Sequence, residues 1–136
     1  MRKVVTFILL RPDNRILMQL RDDNPRWFPN HWAFPGANCE KNEEPLDTVI
    51  REIPEEYGIR VSKTGCQFLF DYDVAYDPAA HDYVFLCRVD FEQKPTLNEG
   101  ADLAWLTLEE IKARELGFDS KPIIERLEAL LTQNPA

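Results

Sequence analysis

The chain opens on an apolar run, "KVVTFILL", which Arg11, Pro12 and Asp13 close before "ILMQLRD" resumes it. Two apolar runs of strand length around a Pro-Asp-Asn turn predict two tightly joined strands. A polar loop, "RDDNPRWFPNHW", follows, and "WAFPGA" predicts a short strand ending at Gly36. From about residue 44 the period becomes helical: Leu46, Val49, Ile50, Ile53 and Tyr57 fall on one stripe, Pro45 suits the first turn, and Gly58 marks the stop. "CQFLFDYDVAY" and "DYVFLCRVDF" predict strands on either side of the turn "DPAAHD", and "ADLAWL" predicts another. Thr107 and Glu110 have capping-box spacing at the head of "LEEIKARE". A last helix is expected from about Asp119 or Ser120, with Pro122 in its first turn and Ile123, Ile124, Leu127, Leu130 and Leu131 on one face. Strands mixed with two or three helices, without regular alternation, predict an α+β fold in which helices cover a mixed sheet.

Composition narrows the partners more than the fold. At 136 residues the chain is read as one domain spanning 1–136, and its 44% apolar content suits a buried core. The net charge of −8 argues against a nucleic-acid polymer or an anionic membrane as the main partner, so an anionic substrate would need a mediating cation. The basic pair and apolar run at the N-terminus resemble a signal peptide, but the run ends too soon and no small-residue cleavage site follows; a first strand is the reading adopted. No stretch approaches the length of a membrane span. Cys39, Cys66 and Cys87 are odd in number and lack CxxC spacing, which favours reduced thiols in a cytoplasmic protein.

Within the first predicted helix, "REIPEEYG" places Glu52, Glu55 and Glu56 within about 100° of arc, beside the apolar stripe. Three like charges on one patch are either a solvated acidic face or a seat for a hard cation that prefers oxygen ligands. Arg51, four residues before Glu55, is placed to pair with it. Pro54 lies on another side of the helix, so the helix is expected to bend without breaking up the cluster.

The residues from Ala37 to Ile59 resemble the Nudix hydrolase signature. Glu43, Arg51, Glu52, Ile53, Glu55, Glu56, Gly58 and Ile59 match at the required spacing, eight of nine defined positions; Ala37 stands where the first glycine is expected. "WAFPGA" and "ADLAWLTLEEI" resemble the family's entry to this signature and its late strand and helix. The resemblance implies a Nudix-type α/β/α sandwich that hydrolyses a pyrophosphate bond in a nucleoside diphosphate linked to another group. The alternative is a Nudix-fold nucleotide-binding module with weak or no catalysis.

It further implies Mg²⁺ or Mn²⁺ held by Glu52, Glu55, Glu56 and the Gly36 carbonyl. Arg51 would orient the carboxylates, Glu43 would have a structural role at the helix entrance, and Glu52, Glu55 or Glu99 would be the general base. The expected partner is a small nucleotide, a nucleoside triphosphate or a nucleotide sugar with a slight lean to the former because the chain is short, bound by a monomer or homodimer. Arg21 is a candidate phosphate contact, and Phe28 or Trp32 a candidate base-stacking residue. If the position of Ala37 requires φ > 0, alanine there costs about 1 kcal/mol and shifts the Gly36 carbonyl. Asn42, where a second glycine is common, tolerates the left-handed region. His31 and His81 lack metal-ligand spacing and are read as surface or hydrogen-bonded groups.

Overall fold

The computed structural model describes residues 2–22, 28–74, 80–98, 100–118 and 120–133, with Gln133 described through its backbone alone. Seven strands form one sheet: β1 (Arg2–Leu10), β2 (Ile16–Leu20), β3 (Trp32–Ala33), β4 (Gly36–Asn38), β5 (Cys66–Asp73), β6 (Ala80–Arg88) and β7 (Asp102–Leu106). The main path runs β3-β2-β1-β6-β5, with β4 also paired to β1 and β7 to β2. β1 and β6 are parallel, whereas the other pairings are antiparallel. The sheet is therefore mixed, as expected. Helices α1 (Pro45–Tyr57), α2 (Leu108–Lys112) and α3 (Lys121–Gln133) complete the elements that bear on the site.

β1 reads from Val4 to Leu10 as an apolar run interrupted only by Thr6, because that stretch is covered on both faces. Val5, Phe7 and Leu9 pack with Val49, Ile53 and Tyr57 of α1, while Ile8 and Leu10 pack with Ile111 of α2 and with Ile123 and Leu127 of α3. The alternation of side chains along the strand divides these two cores. The predicted turn after β1 holds: Asn14 adopts φ 60°, and the backbone N–H of Arg11 donates to Arg15 O at 2.9 Å. The predicted capping box is also present, with Glu110 N–H donating to the Thr107 hydroxyl and Thr107 N–H to Glu110 Oε1.

Three expectations need correction. "WAFPGA" is not one strand ending at Gly36: Trp32–Ala33 pair with β2, Pro35 intervenes, and Gly36 begins β4 against β1. The chain changes partner there, which no period-2 pattern reveals over so few residues. α2 is shorter than "LEEIKARE", ending at Lys112, and β6 begins at Ala80, inside the stretch read as a turn. Cys39, Cys66 and Cys87 are free thiols, with Cys66 and Cys87 opposite one another across β5 and β6.

The concern over Ala37 also changes. Ala37 does not adopt a positive φ; it sits in β4 opposite Val5 and packs on the core below α1. The position that excludes a side chain is Gly36, where a Cβ would come within 2.6 Å of Val5 O. Asn42 is left-handed at φ 65°, as its residue type permits. We expect Gly36→Ala to lower unfolding free energy by about 1–3 kcal/mol in urea titrations, through displacement of β4 from β1. Ala37→Gly should give no stabilisation, since no strained φ is relieved.

Candidate active site

α1 is continuous through Pro54. Pro54 is exposed, so the Ile50 carbonyl that loses its helical donor can be met by water. The C-terminal end is closed completely. Gly58, at φ 68°, donates its N–H to Pro54 O at 2.9 Å; Asn98 Nδ2 donates to Glu55 O at 3.0 Å and Glu56 O at 2.8 Å; Thr96 N–H donates to Tyr57 O at 2.8 Å. All four carbonyls that a helix end leaves without an internal partner are thus satisfied. Gly58 was legible in the sequence, but the Asn98 contribution was not, because it comes from forty residues downstream.

Arg51 organises the acidic face. Its Nε donates to Glu43 Oε2 at 2.9 Å and its Nη2 to Glu43 Oε1 at 3.0 Å, a two-point fork. Its Nη1 donates to Glu52 Oε1 at 2.6 Å and reaches Glu55 Oε2 at the longer distance of 3.4 Å. Glu43 also accepts from the Thr48 hydroxyl at 2.6 Å and from Glu40 N–H at 3.0 Å. The Arg51 guanidinium, with those two further donors, holds the Glu43 carboxyl down to about 2. The same carboxylates raise the pKa of Arg51, Glu43 foremost. Arg51 pairs with Glu55, as its spacing suggested, but the stronger contacts are to Glu43 and Glu52.

A cavity of about 650 Å³ opens beside this helix. Gly36, Glu52 and Glu56 line it together, and so do Arg21, Gln19 and Tyr57. The Glu52 side chain is 15% exposed; that of Glu55 is 60% exposed and stands outside the lining. The difference follows from the helical wheel, on which Glu52 and Glu56 are nearer the buried stripe than Glu55. Tyr57 donates its hydroxyl to Gln19 Oε1 at 2.6 Å, tying the last turn of α1 to β2. Glu99 lies outside the described residues, as does Trp27.

Arg21 lines the cavity with its guanidinium over the Phe118 ring, 4.9 Å from the centroid. Phe28 and Trp32 do not line it. Phe28 packs against His31 and Phe118, and Trp32 is held by backbone bonds to Glu115 and Gly117 beneath Arg114. The aromatic lining comes instead from Phe34, Tyr57, Tyr72 and Phe118. Phe34 had the right residue type in the sequence; Tyr72 and Phe118 had no distinguishing signal. His81 is clamped between Asp71 Oδ2 at 2.6 Å and Asp73 Oδ1 at 2.8 Å, which raises its pKa and fits the hydrogen-bonded role expected of it.

The donor set on this wall is oxygen alone, which suits a hard divalent cation. Among the described residues no three His, Cys, Asp or Glu side chains are gathered as a metal cage. Two carboxylates lining one cavity match the way magnesium is usually held, with the remaining positions left to water and substrate phosphate.

A mixed sheet between helices, with an arginine-organised acidic helix beside a large cavity, defines an α+β protein of α/β/α architecture. The chain belongs to the NUDIX domain family, whose model matches residues 1–127. It is 30% identical over 113 residues to a prenyl-diphosphate phosphatase of Methanosarcina mazei, covering 76% of this chain and 62% of that protein. It is 26% identical over 123 residues to the 8-oxo-dGTP diphosphatase of Escherichia coli, covering 90% and 93%. A solved MutT structure from work on the Aliivibrio salmonicida and Vibrio cholerae proteins matches with a TM-score of 0.78 at 23% identity, over 95% of this chain and 98% of that one. The chain thus spans under two thirds of the Methanosarcina relative's length. Both of these relatives carry names of hydrolases acting on phosphoric anhydrides.

Asn98→Ala should cost about 1–2 kcal/mol in chemical denaturation by releasing two helix-end carbonyls. Glu43 has its pKa depressed in the folded protein, so its contribution is present above the ordinary value of 4.5 and is lost as pH falls towards about 2. The melting-temperature gap between the wild type and Glu43→Gln should therefore be wide at pH 7 and shrink between pH 4.5 and 2.

Proposed function

We propose that this protein hydrolyses a pyrophosphate bond in a nucleoside diphosphate linked to another group, with Mg²⁺ as cofactor and a nucleoside triphosphate as substrate. The observation that carries this reading is the shared cavity wall of Gly36, Glu52 and Glu56, with Glu52 held by an Arg51 that Glu43 fixes in turn. Glu52, Glu56 and the Gly36 carbonyl would hold the ion, with Glu55, whose contact with Arg51 is the long one, as a further ligand. When bound, a hard divalent ion neutralises pyrophosphate charge, polarises phosphorus and makes water a better nucleophile near neutral pH.

The chain's own residues supply position and charge. Arg51 keeps Glu52 in one rotamer, and Arg21, at the cavity wall, faces the phosphates. Glu52, Glu55 and Glu99 remain the candidates for the group that takes the proton from water. The ordinary strand geometry of Ala37 removes the main ground for reading the chain as a nucleotide-binding module with weakened catalysis. No helix among the described residues is long and apolar enough to cross a membrane. The reading is of a cytoplasmic enzyme acting as a monomer or homodimer.

A panel of nucleoside triphosphates and nucleotide sugars, assayed with and without Mg²⁺, tests this directly. Cleavage should require the ion, and Glu56→Gln should lower kcat/KM by about two to three orders of magnitude while the protein stays folded. Glu43→Gln, acting through Arg51, should cost only about 10- to 100-fold. Absence of cleavage across the panel, with or without Mg²⁺, would overturn the proposal.

A further inference from the structure

Across the sheet from α1, the same cavity reaches a buried carboxylate to which the hydrolytic reading gives no task. Asp82 sits on β6 opposite Val4 of β1 and Tyr72 of β5, is 4% exposed, and lines the cavity. Its Oδ2 accepts from the Thr6 hydroxyl at 2.8 Å, and the Tyr72 side chain also bonds to the carboxyl. Its Oδ1 is buried with no hydrogen-bond partner, the one such side-chain atom among the described residues. Burial pushes the carboxyl up to about 6, against the lowering by Thr6, Tyr72 and the nearby His81. An acceptor left unpaired inside a protein costs about 1–3 kcal/mol, so its retention calls for a donor that arrives from outside.

The surroundings define that donor. Phe34, Tyr72 and Phe118 line the cavity with Asp82, giving flat apolar walls around a buried acceptor. A flat ring with an N–H edge satisfies both features. An isoprenoid chain would satisfy the walls but leave the carboxylate unpaired, at the cost of burying a charge without a partner.

We propose that Asp82 is the specificity-determining residue for the base, accepting a hydrogen bond from an exocyclic amino group and so favouring amino-bearing nucleobases over their oxo counterparts. This rests on the reading of the cavity as a nucleotide site. At the position of an amino group, an oxo group would bring a second acceptor against Asp82. Replacing attraction by repulsion at one buried contact excludes an analogue far more strongly than a change of size does.

The test measures binding without turnover, by titrating α,β-imido triphosphate analogues in the presence of Mg²⁺. Adenosine is compared with inosine, guanosine with xanthosine, and cytidine with uridine. For the wild type, the amino member of at least one pair should bind about tenfold or more tightly, as expected for one hydrogen bond to a charged group. In Asp82→Asn that ratio should fall to within about threefold, with the melting temperature preserved.

A uniform loss of affinity for every analogue, or an unchanged ratio in a folded Asp82→Asn variant, would make Asp82 a structural residue and overturn the proposal. If the variant does not fold, the wild-type ratios decide, because equal binding within all three pairs overturns it equally well. A protein that cleaves nothing yet shows an amino preference dependent on Asp82 would refute the hydrolytic reading and keep this one. Cleavage without any base preference would do the reverse.

Discussion

The acidic helix, the Gly36 strand and Asp82 are all held by β1, a strand with neighbours along its length and helices over both faces. Its Val5, Phe7 and Leu9 seat α1 and with it the acidic face. Thr6 pairs with Gly36 in β4, and its hydroxyl holds Asp82 of β6. Thr6, the one polar residue in the buried stretch of β1 from Val5 to Leu10, thus links the two sides of the cavity. The residue types follow from that constraint: apolar wherever a face meets a core, glycine where β4 comes too close for a Cβ, and a hydroxyl where the sheet meets the cavity.

The acidic helix shows how like charges are accommodated at one place. Arg51 joins Glu43, Glu52 and Glu55, and its two-point fork is with Glu43, which does not line the cavity. The fork to Glu43 fixes the guanidinium, so the remaining N–H groups point at Glu52 without losing further freedom. Glu52, held in this way, shares the cavity wall with Glu56. A lysine at this position would offer a point charge without the two-point geometry.

What could be read from the sequence was local and periodic. The stripe of α1, its stop at Gly58, the capping box of α2 and the turn at Asn14 each depend on residues within one or two turns of one another, and each is found. The spacing of Glu43, Arg51, Glu52 and Glu56 likewise carried the family. What could not be read depends on distant pieces of chain meeting. Phe28 and Trp32 had the composition of base-stacking residues but were taken up in packing near α3, whereas Phe34, Tyr72 and Phe118 came to the cavity through the order of strands. Asp82 looked like one more charge in an acidic protein, and only the pairing of β6 with β1 and β5 shows it to be buried.

The bonds from Asn98 to the last turn of α1 have a dynamic consequence. The segment between β6 and β7 is moored to the helix through one side-chain amide and the backbone of Thr96, so it cannot lift away without exposing the carbonyls of Glu55, Glu56 and Tyr57. Detachment of that segment and fraying of the helix are consequently a single event with a single opening free energy, and amide protons on both should exchange with solvent in step.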